Sequence, residues 1–222
     1  MSTPPTPGEP RPRLPRSQRR ALLLEAALAS FSENGYHATA MDDIAGRAGV
    51  SKPVLYQHFD SKLDLYLALA AQACDGMVET IESAMASTDD NGDRIRATMH
   101  GFFAFVDRPG SGYPLVLASD MGDDPSVAAL LAQAQTRCAA AVGRVLQDQT
   151  DLDGEQSVLI GTALVGLAQS AARHWYESGS QVPRGVAADV MTTVAWRGLG
   201  HFPRSLEGAG ADAVSSHTGT SG

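Results

Sequence analysis

Gly49-Val50-Ser51-Lys52-Pro53-Val54-Leu55-Tyr56-Gln57-His58-Phe59 is the stretch that decides the fold of this chain. Glycine tolerates the left-handed conformation of a tight turn, serine is a good helix N-cap, and proline in a first turn loses little by lacking an N–H. Val50, Leu55 and Phe59 are spaced to hold this short helix on a core, which leaves Ser51, Lys52, Pro53, Val54, Tyr56, Gln57 and His58 for the outside. Just before it, Met41, Ile44, Ala45 and Ala48 form the buried stripe of another short helix, which Gly49 stops. Helix, tight turn and a second helix with exposed N-terminal residues is what a helix-turn-helix needs to enter a major groove. A solvated connecting helix in an ordinary bundle has the same spacing. The second helix is too short to be stable alone, and it carries an exposed tyrosine and lysine.

Outward from this stretch nearly everything reads as helix. Leu23, Ala26, Ala27, Ser30 and Phe31 recur at helical spacing over residues 16–34, and Asn34-Gly35 supplies a stop. Thr39-Ala40-Met41-Asp42 is predicted to be a capping box, with aspartate in place of the usual glutamate. Ser61-Lys62-Leu63-Asp64 is another, opening a long helix through Leu65, Leu69 and Ala73. Further helices are expected near 91–107, 112–121, 124–150, 153–178 and 183–200, separated by Pro109-Gly110, Asp123-Asp124-Pro125, Asp151–Gly154 and Gly179–Pro183. No segment alternates with period two, so the fold class is all-α. The expected organisation is a disordered basic arm at 1–15, a helix-turn-helix domain at 16–60, a ligand-binding and dimerisation domain at 61–203, and a disordered tail at 204–222.

Composition narrows the function. The 222 residues are 43% hydrophobic, enough for a sizeable core. Two cysteines far apart, Cys74 and Cys138, exclude a disulfide scaffold or cysteine zinc site and fit a reducing cytosol. No apolar run is long enough for a membrane span, and no secretory signal is evident, so a cytoplasmic protein is expected. Net charge is −8, yet residues 1–64 sum to +1 and the rest to −9. That asymmetry suits a molecule in which only the head meets phosphate.

Residues 16–66, with Phe31, Gly35, Thr39, Ile44, Ala48-Gly49-Val50-Ser51, Leu55-Tyr56, His58-Phe59, Ser61-Lys62 and Leu65, resemble the N-terminal domain of the TetR family of transcriptional regulators. The resemblance implies an all-α homodimer: a three-helix DNA-binding head with its helix-turn-helix, a linking fourth helix, and a C-terminal helical effector and dimerisation bundle. Matched position by position, it puts Thr39, Tyr56, His58 and Lys62 at phosphates, with the helix start at Ser61 adding partial positive charge. It puts Ser51, Lys52, Pro53, Val54 and Gln57 at base edges. Lys52 can donate to guanine, Gln57 can pair with adenine, and Val54 can pack on a thymine methyl. Arg16, Arg19 and Arg20 suit phosphates or a minor groove. Arg11 and Arg13 suit either that role or ordinary solubility.

The body carries no catalytic signature, no metal-ligand spacing and no implied cofactor, so the chain is not expected to be an enzyme. Met99, Phe102, Phe105, Tyr113, Leu117 and Met121 form an apolar, aromatic run. With Trp175, they are the candidate lining of a lipophilic effector pocket, although plain core has the same pattern. Gly161, Val165, Ala168 and Ala172, with Val190 and Val194, are the candidate dimer interface, expected within 153–200. Ser111-Gly112-Tyr113, Asp124-Pro125, Leu164-Val165-Gly166-Leu167, Ala172-Arg173-x-Trp175 and Ala195-Trp196-x-Gly198-Leu199 are similar to the actinobacterial fatty-acid-synthesis regulator of this family. That implies a sensor of long-chain acyl-CoA governing fatty-acid synthase genes. One alternative is a repressor of an efflux pump that answers to a drug-like or secondary-metabolite ligand, with Asp107 and Asp120 as the nearby carboxylates for a cation. Another is an acyl-binding helical carrier without DNA binding. The expected partners are operator DNA, a small lipophilic effector and a second copy of the chain, with no membrane.

Overall fold

Helices end where glycine or a polar cap takes over the backbone, and those signals partition the chain. The computed structural model describes residues 15–117 and 121–200, with backbone alone at 117, 199 and 200. The expected arm up to residue 14, including Arg11 and Arg13, and the expected tail lie outside the described residues. Among the described residues there is no strand. The helices are α1 (Arg16–Ala38), α2 (Met41–Arg47), α3 (Lys52–Tyr56), α4 (Lys62–Met85), α5 (Asn91–Asp107), α6 (Tyr113–Leu117), α7 (Pro125–Gln149), α8 (Gly154–Glu177) and α9 (Arg184–Gly200).

Two compact units divide between Tyr66 and Leu67, inside α4 rather than at its start. In the first unit, Leu23, Ala27, Phe31, Ile44, Leu55, Phe59 and Leu65 are all at most 1% exposed. Removing a buried phenylalanine from such a core costs about 3–5 kcal/mol. Phe31 meets Tyr66 edge-on with ring centroids 5.5 Å apart, and Tyr36 meets Tyr66 at 5.2 Å. Gly35 breaks α1 with a φ of 75°, at the expected stop.

The cap of α2 differs from the expected one. Ala40, not Thr39, is the N-cap, and the Asp43 carboxylate accepts the Ala40 N–H at 3.3 Å. The Thr39 hydroxyl instead turns inward, onto Ser30 and Gly35 carbonyls. The expected capping box of α4 forms in its forward arm, with Ser61 Oγ accepting from the Asp64 N–H at 3.0 Å, but the Asp64 carboxylate accepts from the Asp60 N–H at 3.1 Å rather than from Ser61.

In the second unit α7 packs along α8 and α5 along α9. A Cβ at Gly161 would fall 2.5 Å from the Ala139 carbonyl oxygen, so the α7–α8 approach requires glycine there. Asp124 caps α7 by accepting the Ser126 and Val127 N–H groups, and Asp153 caps α8 reciprocally with Gln156.

Candidate nucleic-acid interface and effector cavity

The turn between α2 and α3 is built around Gly49, whose φ of 66° is the left-handed conformation the sequence demands. The Val50 N–H then donates to Ala45 O at 3.0 Å, closing α2 and starting the descent into α3. Leu55 and Phe59 face inward, 0% and 1% exposed. Ser51, Lys52, Pro53, Tyr56 and Gln57 are exposed, and Val54 and His58 half-buried, so the structure leaves all seven on the outside together. Lys52 Nζ lies 2.9 Å from an Asp42 carboxylate oxygen, and that hydrogen bond raises the pKa of its ammonium. Both partners are exposed, so the pair is one a phosphate or a base edge can exchange into.

A second group of cations gathers on the opening turns of α1. Arg20 places its guanidinium 4.3 Å from the centre of the Phe59 ring and directs Nη1 at His58 O, 3.5 Å away. The His58 pKa lies below its ordinary value, first through burial and then through the charges of Arg16, Arg19 and Arg20. These four residues therefore share one neighbourhood beside the end of α3. Thr39 and Lys62, expected at phosphates, are placed differently. Thr39 is 2% exposed, and its hydroxyl is spent on the corner after α1. Lys62 Nζ donates to backbone carbonyls at that same corner.

The second unit holds a cavity of roughly 280 Å3 between α4, α5, α7, α8 and α9. Met77 and Ile81 of α4, Met99 and Phe102 of α5, Val142 and Leu146 of α7, and Val165 and Ala168 of α8 supply apolar walls. Arg94 is the one charged residue among the described residues that line it. Its Nε donates to Met85 O at 2.8 Å and Nη1 to Asn91 Oδ1 at 2.7 Å, which holds the guanidinium inside a nearly buried site. Of the expected pocket residues, Met99 and Phe102 are on this wall. Phe105 and Tyr113 instead meet at a tilt, with ring centroids 5.6 Å apart, and Trp175 meets Phe103 edge-on at 5.6 Å while donating to Val182 O. Met121 is buried, and the side chain of Leu117 lies outside the described residues. Burial pushes the thiols up, Cys74 to about 11 and Cys138 to about 12. Both stay protonated and unreactive at neutral pH.

A family model for bacterial regulatory proteins of the tetR family matches residues 23–69, and one for the tetracyclin repressor-like C-terminal domain matches residues 91–198. The chain belongs to the TetR family. It is 40% identical over 204 residues to the HTH-type transcriptional activator FasR of Mycolicibacterium smegmatis, covering 88% of this chain and 93% of that one. The narrower resemblance of the body residues points to the same regulator. A TetR-like transcriptional regulator from Rhodococcus sp. RHA1 superposes with a TM-score of 0.69 at 29% identity, over 86% of this chain and all of that one. FadR of Bacillus subtilis, solved in complex with stearoyl-CoA, shares the fold at a TM-score of 0.65 and 15% identity, over 79% of this chain and 96% of that one. The TetR assignment makes the chain a DNA-binding transcriptional regulator and not an enzyme.

Within this TetR body the candidate dimer residues divide. Gly161, Val165, Ala168 and Ala172 are buried inside the protomer: the Gly161 backbone closes on α7, while Val165 and Ala168 line the cavity. Val190 and Val194 are 54% and 49% exposed, in line with Val186 at 50%. Val158 and Leu159 of α8, outside the expected set, are exposed as well. Arg94 likewise lines the cavity without belonging to the expected pocket set. Arg94, Thr98, Met99 and Phe102 share one helical face, so extending the Met99–Phe102 stripe back by two turns finds it. No described helix is long and apolar enough to cross a membrane, and no described group of histidine, cysteine and carboxylates could hold a metal.

Proposed function

We propose that the chain is a homodimeric operator-binding regulator whose DNA affinity is set by a long-chain acyl-CoA held in the cavity of the second unit. The observation that carries this is the cavity itself, apolar along its walls with one buried cation, Arg94. Each methylene of an alkyl chain moved onto such walls contributes about 0.8 kcal/mol. Phe102 stands eight residues beyond Arg94 on α5, about 12 Å along the helix. That length separates an anion-favouring position from the aromatic part of the wall, as an acyl chain with an anionic head group requires. The similarity to FasR and the shared fold of a stearoyl-CoA-bound FadR support the same ligand class. A cationic drug fits less well: no carboxylate lines the cavity among the described residues, Asp107 is exposed and paired with Arg184 at 3.0 Å, and Asp120 lies outside the described residues.

Two chains then present two α3 helices to major grooves one turn of DNA apart, about 34–36 Å, or a multiple of it. Val186, Val190 and Val194, with Val158 and Leu159, are the apolar surface that a second copy would cover. Because α4 begins in the head and continues into the body, it is the covalent route by which ligand shifts the head. A hundredfold change in operator affinity needs roughly 2.7 kcal/mol of coupling, which the ligand supplies only through its different affinity for the two states.

The test is fluorescence anisotropy on duplexes from upstream of this gene and of fatty-acid synthase genes, titrated with long-chain acyl-CoA, free CoA and the free fatty acid. Acyl-CoA alone should change operator affinity, and sedimentation should show two chains per duplex. An affinity indifferent to saturating acyl-CoA would sink the ligand assignment and leave the TetR regulator standing.

A further inference from the structure

Lys62 stands half-buried at the start of α4. Its Nζ donates to the carbonyl oxygens of Tyr36 at 2.8 Å, Thr39 at 3.0 Å and His37 at 3.4 Å. An ammonium has three donors and no acceptor, so three converging carbonyls match its whole capacity. The Tyr36 ring adds a face 4.4 Å from Nζ, and Tyr66 meets that ring edge-on. Tyr36 and His37 follow the break in α1 at Gly35, so the three carbonyls converge from one short corner. Thr39 is the first of the two residues between α1 and α2, and its hydroxyl points back to Ser30 O at 3.1 Å and Gly35 O at 2.7 Å. Two residues whose types suit phosphate contact thus both serve a corner of the backbone.

We propose that Lys62 is a positioning residue: it pins the α1–α2 corner to the start of α4 and so fixes the angle at which α2 and α3 are presented to DNA. A direct phosphate contact would have to take an N–H away from one of these three carbonyls, because the ammonium has no fourth donor. Lys62 therefore adds no counterion release of its own. Its removal weakens DNA binding by letting the corner move.

The two roles separate in the salt dependence. Each cation that neutralises a phosphate contributes about 0.9 to the slope of log K against log salt concentration. The experiment uses the intact chain and a labelled duplex selected from a randomised pool by the wild-type protein. Lys62→Met keeps the aliphatic stem and removes the charge. Lys62→Arg keeps the charge, but a planar guanidinium fork cannot aim three N–H groups from a single nitrogen at converging carbonyls. Both variants should lose about tenfold or more in affinity, with the salt slope unchanged and amide exchange at residues 36–40 accelerated. A slope reduced by about one in Lys62→Met and restored in Lys62→Arg would make Lys62 a phosphate contact and overturn the proposal. So would wild-type affinity in either folded variant, because a purely structural tie leaves the folded fraction's DNA binding intact. Should Lys62→Met not fold, the neutral Lys62→Gln takes its place: a slope reduced by about one overturns the proposal and lost affinity at constant slope upholds it.

Discussion

The head and the body are held together by different kinds of contact. The head gathers aromatic rings (Phe31, Tyr36, Phe59 and Tyr66) and braces its corners with polar bonds from Thr39, Asp43, Ser61 and Lys62. The body closes α7 on α8 through glycine and alanine, and leaves a cavity walled partly by Met77, Met85 and Met99. A unit that must hold base-reading side chains in register gains from directional bonds, because they fix angle as well as distance. A unit that admits a ligand gains from flexible methionine, which can repack around different occupants. The same chain thus spends polar chemistry where geometry must be rigid and soft apolar surface where volume must adapt.

The largest effect expected from breaking this contrast is at the body seam. Gly161→Val drives side-chain carbon into the Ala139 carbonyl, 2.5 Å from where even a Cβ would fall. It should destabilise the body by about 3 kcal/mol, roughly 6–12 °C in Tm, while the isolated response of the head to DNA sequence persists. Differential scanning calorimetry checks this, and an unchanged Tm would mean that α7 and α8 do not approach so closely.

Next in size is Gln57→Ala on the exposed face of α3. Loss of a bidentate base contact should cost about 1–3 kcal/mol for the selected operator and leave non-specific binding and its salt slope as they were. Equal losses on operator and random DNA would remove Gln57 from base reading. In the body, Arg94→Met should raise the acyl-CoA concentration needed for half response by about tenfold, read as anisotropy midpoints. An unshifted midpoint would place the head group elsewhere.

The smallest effect concerns pH. His58 has a native pKa below its unfolded value of about 6.5. Its contribution to stability is therefore complete above the unfolded pKa, and is lost as pH falls through about 6.5 towards the lower native value, since the unfolded chain then binds more protons. Urea unfolding at neutral and mildly acid pH should show a small loss that His58→Gln abolishes. If His58→Gln follows the wild-type pH dependence, the arginines do not act on His58 as their placement implies.

How much was legible follows the same division. The Gly49 turn, the inward Leu55 and Phe59, the exposed face from Ser51 to His58, and the helix starts at Ser61, Asp124 and Asp153 are local signals, and they were read correctly. The capping box at Thr39 was misread, because a threonine ahead of a helix can turn its hydroxyl forward onto the helix or back onto the preceding one. Which it does depends on where α1 ends. Lys62 was equally ambiguous, since a lysine reaches a carbonyl cluster as easily as a phosphate. In the body, the stripe of small residues on α8 announced close helix packing but not whether the partner was α7 or a second chain.

From sequence alone came the all-helical class, the helix-turn-helix and the kind of side chain each position offers to DNA. These rest on 3.6-residue periodicity, caps and glycine turns, which act within a few residues of one another. Only the tertiary structure decided the seam at Gly161, the cavity walled by five helices with Arg94 inside it, and the inward turn of Thr39 and Lys62. Each of those depends on which distant segment lies opposite. A helix face carries the same residues whether it meets a neighbour, a ligand or a second copy, so the residue opposite is what assigns the role.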